Sequence, residues 1–183
     1  NVLGTEMDLY MNRPYRSGGD YDIVWDFDGV RSAVSHIGTI NDPSDRDNGW
    51  TVEIAIPWSS LADTAAVECP PGNQDTWWVN FSRVQWPYEI VDGRYLKPEG
   101  AREDNWVWSP QYAIDMHRPE YWGLVQFSTS QPGNTIFAVP DDVVVRAQLR
   151  ALIAADEKFS ASQGSPPKTI ADLDGLWKPN QDL

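Results

Sequence analysis

The sequence predicts an all-β fold, an antiparallel β-sandwich followed by an α-helical extension at its C-terminal end. Short segments in which apolar and polar residues alternate recur through residues 1–127, separated by Gly, Pro and Asp turns. This pattern is typical of a sandwich or barrel. The one long helical periodicity begins only after Pro140. We therefore divide the chain into a β domain at 1–127, a linker at 128–140 and a helical extension at 141–183.

Several strands can be placed by their alternation. Trp50, Val52 and Ile54 share one face of a strand that Pro57 ends, because proline cannot donate to a ladder. Residues 77–86 predict one long strand. The other predicted strands are 21–27, 30–40 and 121–127.

The extension contains one predicted helix, over about residues 143–162. Asp141 and Asp142 follow Pro140, and their negative charges stabilise a helix N-terminus, which is the positive end of the helix dipole. Asp142 and Arg146 are spaced for an ion pair, and Gly164 is a typical stop. The apolar stripe that we expect to pack consists of Val145, Leu149, Leu152 and Ile153.

Composition limits the function classes. The net charge is -13, with 27 acidic and 14 basic residues, and this repels phosphate backbones. We therefore exclude nucleic acid as a partner. No apolar run approaches the roughly 20 residues that span a bilayer, so we do not expect a membrane-embedded chain. Cys69, the one cysteine, cannot form an internal disulfide.

Ten tryptophans are several times the ordinary usage of this residue. A small core cannot bury so many indoles and still find a partner for each N–H group. We therefore expect some of them at a surface that binds a flat ligand.

An ordered series of motifs connects the sequence to a known family. The motifs are Asn1-Val2-Leu3-Gly4-Thr5, Arg13-Pro14-Tyr15, Asn41-Asp42-Pro43-Ser44-Asp45, Gly49–Trp58, Val79–Val84, Asn105–Pro110 and Met116–Gly123. Together they resemble the carbohydrate-binding module family 9-like domains of bacterial exported proteins. Residues 140–176 resemble the extension that often follows such domains.

The resemblance implies a non-catalytic module that binds a polysaccharide or glycan by tryptophan stacking. It also implies an exported protein, whether extracellular, at the cell surface or periplasmic, and calcium in structural roles. Domains of the family begin with strands that precede the Asn-Val-Leu-Gly motif, at which this chain starts. The resemblance thus implies a sandwich incomplete at its N-terminus, with other protein chains as candidates to complete it.

The predicted sugar-binding residues are Trp106, Trp108, Asn105, Asn80, Arg83 and Trp86. Alternation puts Trp106 and Trp108 on one face of an extended segment. Pyranose rings offer C–H faces that stack on indole, and their hydroxyls bond to amide and guanidinium groups. The pattern of Asn105 and Trp108 resembles the polar and stacking pair of sugar-binding members. The alternative is a tryptophan-rich core with a capping loop.

The loop at residues 41–49 is a candidate calcium site. Calcium takes six to eight oxygen ligands from closely spaced carboxylates and carbonyls, and Asp42, Asp45 and Asp47 could supply several. The spacing is not that of an EF-hand. An acidic hairpin turn that uses the same side chains as hydrogen-bond acceptors is the alternative.

Two further hypotheses about function stay open. A related branch of the family binds haem, for which Met7, Met11, Met116, His36 or His117 could be axial ligands. The other reading is a structural or accessory subunit that uses the sandwich for protein–protein contacts in an envelope assembly. Catalysis is not predicted, because the sequence has no nucleophile-elbow, zinc-protease or phosphate-loop motif.

Overall fold

The computed structural model describes residues 1–177, which belong to two compact units, 1–129 and the residues from 130 onward. The end of the predicted extension, residues 178–183, lies outside the described residues. The described part of the first unit consists mostly of small antiparallel sheets, and the second contains one long helix.

The strands pair in twos. Their bounds are β1 Tyr10–Met11, β2 Tyr21–Asp22, β3 Arg31–Ile37, β4 Gly49–Ala55, β5 Thr76–Val79, β6 Ser82–Gln85, β7 Glu89–Val91, β8 Arg94–Leu96, β9 Asp104–Val107 and β10 Gly123–Gln126. The pairs are β1–β2, β3–β4, β5–β10, β6–β9 and β7–β8, and all are antiparallel. A short helix, α1, spans Trp58–Ala62, and single 3-10 turns span Tyr15–Ser17 and Pro119–Tyr121.

Strands β5 to β10 form one nested hairpin, which we call the arm. Asp92 and Gly93 make its two-residue turn, with φ of 49° and 71°. Positive φ at both positions is what a type I′ turn requires, and its twist matches that of the flanking strands β7 and β8. The β6–β9 pair encloses this hairpin, and the β5–β10 pair encloses both.

The predicted strand 77–86 is divided into β5 and β6, so the prediction of one continuous strand is wrong. The Asn80 Oδ1 atom accepts hydrogen bonds from the Phe81 and Ser109 backbone N–H groups, and Nδ2 donates to the Ser109 carbonyl. An amide side chain that bonds to nearby backbone in this way competes with the ladder.

The predicted strand 21–27 is likewise too long, since β2 ends at Asp22. The Asp22 carboxylate accepts hydrogen bonds from the backbone N–H groups of Val24 and Trp25, at 2.8 and 3.2 Å. These bonds turn the chain away from the extended conformation.

The β3–β4 hairpin has the predicted alternation, but its apolar face stays largely exposed. Its register places Val34 opposite Val52 and Ser32 opposite Ile54, so the apolar side chains share one face. All of β4 is nevertheless exposed, and Ile54 is 60% accessible. Between residues 1 and 129, all of which the structure describes, no apolar side chain is buried. A sheet buries its apolar face only against another layer.

Helix α2 spans Asp141–Gln163, close to its predicted bounds. It begins after Pro140 and ends where Gly164 adopts a left-handed conformation, φ 69°, and donates its N–H to the Ser160 carbonyl. The predicted ion pair is confirmed, with 3.2 Å between Arg146 Nε and an Asp142 carboxylate oxygen. Of the helices within residues 1–177, none has the length and apolar character to cross a membrane.

The predicted packing of the α2 stripe is wrong for three of its four residues. Val145, Leu149 and Ile153 are exposed and Leu152 is half-buried, while the buried side chains of the helix are Val143 and Ala155. Helix α2 contacts the 3-10 turn Ile170–Leu173, whose Leu173 is buried. One short turn is too small to cover a 23-residue helix face.

Candidate functional site

Four side chains share one face of the β6–β9 pair and form a surface that we call the platform, consisting of Phe81, Arg83, Trp106 and Trp108. Arg83 lies directly opposite Trp106 in the register. The Trp108 backbone N–H donates to the Phe81 carbonyl at 2.8 Å, so the pairing continues one residue beyond the strands. The structure thus brings together three of the predicted sugar-binding residues.

The rings of the platform face solvent. Trp106 is 65% accessible and Trp108 is 51% accessible, so neither is a core residue. Phe81 and Trp108 have ring centroids 5.6 Å apart. The Trp108 ring lies directly over Gly123, which has no side chain to obstruct it. Arg83 Nη2 donates to Gln85 Oε1 at 2.6 Å, which holds the guanidinium along the strand.

The two predicted asparagines lie elsewhere. The amide of Asn80 is engaged by Ser109 and Phe81, as described above. Asn105 lies opposite Val84, on the face of β6–β9 that is turned away from Trp106. Neither amide reaches the platform.

A second aromatic surface is an open cavity of about 700 Å³, which we call the cleft. Its aromatic walls are Trp50 from β4, Trp86 after β6, Tyr88 before β7 and Tyr95 from β8. The volume lies within the range of small-molecule sites. Polar groups that also line it are His36, Asn41, Asp47, Gln85 and Lys97.

The aromatic rings of the cleft are held by contacts with their neighbours. The rings of Tyr88 and Tyr95 meet edge to face, with centroids 4.9 Å apart. The Lys97 ammonium lies 3.6 Å from the centroid of the Trp86 ring, within cation–π range. Trp86 is therefore the predicted sugar-binding residue that belongs to the cleft. Sequence reasoning did not select Trp50, Tyr88 or Tyr95.

The acidic loop adjoins the cleft. The Tyr95 hydroxyl donates to the Asp42 carbonyl at 3.3 Å. Partial desolvation raises the pKa of Tyr95, and electrostatic repulsion from the Tyr88 phenol and from the carboxylates of Asp47, Asp45 and Asp42 raises it further. This hydroxyl thus stays protonated beyond its ordinary range and remains a hydrogen-bond donor.

The carboxylates of this loop act as hydrogen-bond acceptors. Ser44 donates hydrogen bonds to Asp42, and these lower the pKa of the Asp42 carboxyl. The side-chain hydrogen bond has the larger effect and the backbone hydrogen bond the smaller one. Thr39 donates its hydroxyl to Asp45 and its backbone N–H to Asp47, each at 2.7 Å. Within the part of the chain that the structure describes, no three His, Cys, Asp or Glu side chains are grouped to hold a metal ion. These contacts are those of the acidic-turn alternative.

A second cavity, of about 640 Å³, gathers Met7, Met11, Met116 and His117. These are four of the five candidate haem ligands, while His36 lines the cleft instead. Thioether and imidazole donors suit haem iron. Among the described residues that line this cavity, however, none is a Lys or Arg that could pair with the haem propionates.

The sequence matches no family model, no curated protein and no solved structure. The resemblance stated above therefore stays a prediction, and the function has to be argued from the aromatic surfaces themselves.

Proposed function

We propose that this chain is a non-catalytic carbohydrate-binding module of an exported protein, and that its cleft binds a polysaccharide or glycan. The observation that carries this proposal is the convergence of four Trp and Tyr rings on one open cavity with amide and carboxylate groups beside them. Aromatic rings match the C–H faces of pyranose rings, and Asn41, Asp47 and Gln85 offer acceptors and donors for hydroxyls.

The affinity of the cleft should be modest. Each sugar hydroxyl exchanges hydrogen bonds with water for hydrogen bonds with the protein, so the net gain per bond is small. Stacking supplies most of the gain, and Trp86 is the ring to remove first. The Lys97 ammonium now covers one part of that ring, so a sugar that stacks there displaces it.

The test is affinity gel electrophoresis on a set of polysaccharides, with isothermal titration calorimetry on any that retard the chain. We expect Trp86→Ala to weaken binding at least fivefold, the loss of about 1 kcal/mol that marks a substantial contact. Tyr112→Ala is the matched control, because this ring is 83% accessible and lies outside both surfaces. Unchanged affinity in a folded Trp86→Ala protein would contradict the proposal.

The same gels, run with calcium and with a chelator, test the loop of Asp42, Asp45 and Asp47. We expect no difference, because those carboxylates already accept hydrogen bonds within the loop. Retardation that needs calcium would instead favour the calcium site predicted from the sequence.

A second candidate function is a structural or accessory subunit whose sandwich is completed by strands from another protein chain. The apolar face of β3–β4 favours it, since Val52 and Ile54 are 45% and 60% accessible and border an open cavity whose other wall is the N-terminal segment. A scanning calorimetry experiment on the isolated chain separates the two candidates. A cooperative transition supports a self-sufficient module, and its absence supports completion by a partner.

A further inference from the structure

We infer that the cavity of Met7, Met11, Met116 and His117 is a binding site for the soft monovalent ion Cu(I). All three methionines of the chain line this cavity, together with one of its two histidines. The inference goes beyond the proposed function, because the cleft is lined by other residues.

The donor atoms of the cavity favour a soft ion. A thioether sulfur is neutral and polarizable, and thioether ligands select Cu(I) over harder divalent ions. Ca²⁺ and Mg²⁺ take oxygen ligands instead. Among the described residues that line the cavity, Asp8 supplies the one carboxylate, and its Oδ2 atom already accepts a hydrogen bond from the Phe27 backbone N–H at 3.1 Å. Three sulfurs and one imidazole therefore suit Cu(I) better than a hard cation.

Met116 and His117 are positioned by neighbouring polar groups. The Ser82 hydroxyl donates to Met116 Sδ at 3.5 Å, which leaves the second lone pair of that sulfur for an ion. Asp115 Oδ1 lies 3.8 Å from His117 Nδ1 and also accepts the His117 backbone N–H at 2.9 Å. A carboxylate on one side of the imidazole is the usual partner of a metal-binding histidine. It leaves Nε2 as the ligand atom.

The segment that carries Met11 is fastened to the loop that carries His117. Arg16 Nη1 donates to the His117 carbonyl at 2.7 Å, and Nη2 of the same guanidinium pairs with the Glu120 carboxylate. The Tyr15 and His117 rings meet edge to face, with centroids 4.6 Å apart. Met11 lies in β1, just before this turn. These contacts hold ligands that are far apart in the sequence beside one cavity.

The exposure of the thioethers gives an ion access to the cavity. Met7 is 75% accessible and Met116 is 37% accessible, so both sulfurs are within reach of a solvated ion. Methionine is unbranched and has three rotatable bonds, so the Met7 side chain can close on an ion that the other ligands hold. Trp25 and Trp122 supply apolar walls, and the Trp122 indole N–H donates to the Met116 carbonyl at 3.0 Å.

The experiment is a titration with Ag(I), a redox-stable analogue of Cu(I), of a chain whose methionine methyl groups carry ¹³C. The NMR spectrum then has one methyl signal for each of the three methionines, which single Met→Leu variants assign. We expect one equivalent of Ag(I) to shift all three signals in Cys69→Ser, and Zn²⁺ or Ca²⁺ to shift none. In the natural sequence the Cys69 thiol, which is not among the residues that line the cavity, takes up a further equivalent.

Cu(I) affinity is measured by anaerobic competition with bicinchoninate. Met11→Leu and Met116→Leu nearly keep the side-chain volume. Each should weaken Cu(I) binding about tenfold or more, because even the loss of a group that only orients a ligand costs about that much. His36→Gln is the matched control, since His36 lines the cleft, and it should leave the Cu(I) affinity unchanged.

Two results would overturn the site. One is Ag(I) that shifts fewer than three methyl signals, and the other is a folded Met116→Leu protein with unchanged Cu(I) affinity. An equal response of the methyl signals to Zn²⁺ would overturn the preference for a soft ion. All of these results leave the proposed function intact, because polysaccharide binding at the cleft is measured separately.

Discussion

Replacing Gly123 with alanine should push the Trp108 ring out of the platform. An ideal Cβ atom at Gly123 would lie 2.8 Å from Cζ3 and 2.9 Å from Cη2 of that indole. Two carbon atoms prefer about 3.5–4.0 Å, so the ring has to move by about 0.7 Å or more. Gly123 lies in β10 opposite Val79. The close approach of the Trp108 ring explains why a strand position is occupied by glycine.

The cost of the substitution can be worked from these contacts. Overpacking costs roughly 1–3 kcal/mol in a well-packed core. Trp108 is 51% accessible and can tilt toward solvent, so we expect about 1 kcal/mol, the lower end of that range. Tilting also separates the indole from Phe81, an aromatic pair worth roughly 0.5–1.5 kcal/mol when intact.

The assay is a double-mutant cycle of Gly123→Ala with Trp108→Ala, measured by urea unfolding and far-UV circular dichroism. We expect Gly123→Ala to cost about 1 kcal/mol in the natural sequence and close to nothing once the indole is gone. An equal cost in both backgrounds would show that the backbone of β10, and not the ring, resists the methyl group. That result would refute the reasoning.

Three further outcomes are expected. The backbone N–H groups of Thr169 and Lys168 lower the pKa of Asp172. A carboxyl with a depressed folded-state pKa stabilises above its unfolded-state pKa and loses that contribution as the pH falls through the folded value. The melting temperature should therefore fall as the pH drops below the ordinary carboxyl range. The fall should be smaller in Asp172→Asn than in the natural sequence, and thermal melts at several pH values measure both. Titration with haemin should give no sharp Soret band, since no Lys or Arg is among the described residues that line the cavity of Met7, Met11, Met116 and His117; such a band would restore the haem hypothesis. Arg146→Ala should cost less than about 0.5 kcal/mol by urea unfolding, because its ion pair is exposed; a larger loss would mean that the arginine has another role.

Local signals in the sequence predicted local structure well. The bounds of α2 follow from Pro140, from the acidic first turn and from Gly164, all of which act within one helical turn. The shared face of Val52 and Ile54 follows from the two-residue period of a strand. Burial of that face did not follow, because burial depends on a second layer and alternation reports only which side chains point the same way.

Pairs distant in sequence could not be predicted. Arg83 faces Trp106 because of the β6–β9 register, which is set by the whole arm and by no residue near either side chain. Trp50 from β4 and Tyr95 from β8 line the same cleft, although no short-range pattern in the sequence relates them. Alternation did contain the information that Asn105 and its neighbour Trp106 lie on opposite faces of one strand.

The sequence contains one further hairpin signal, which the predicted strands above do not include. Asp92-Gly93, with apolar and polar residues alternating on both sides, is a strong two-residue hairpin signal. It would have predicted β7 and β8 and, with them, the proximity of Tyr88 to Tyr95. These two residues form one wall of the cleft.

The nested order of the arm also sets the sequence in which it can assemble. The Asp92-Gly93 turn closes the shortest loop, the β6–β9 pair a longer one and the β5–β10 pair the longest. The entropic cost of closing a loop grows with its length, and local contacts form fastest. The strand pairs of the arm should therefore form in order from the turn outward. The cleft walls beside the turn then form early. The Phe81–Trp108 end of the platform, which rests on Gly123 of the outermost pair, is the last part to form and the first to open.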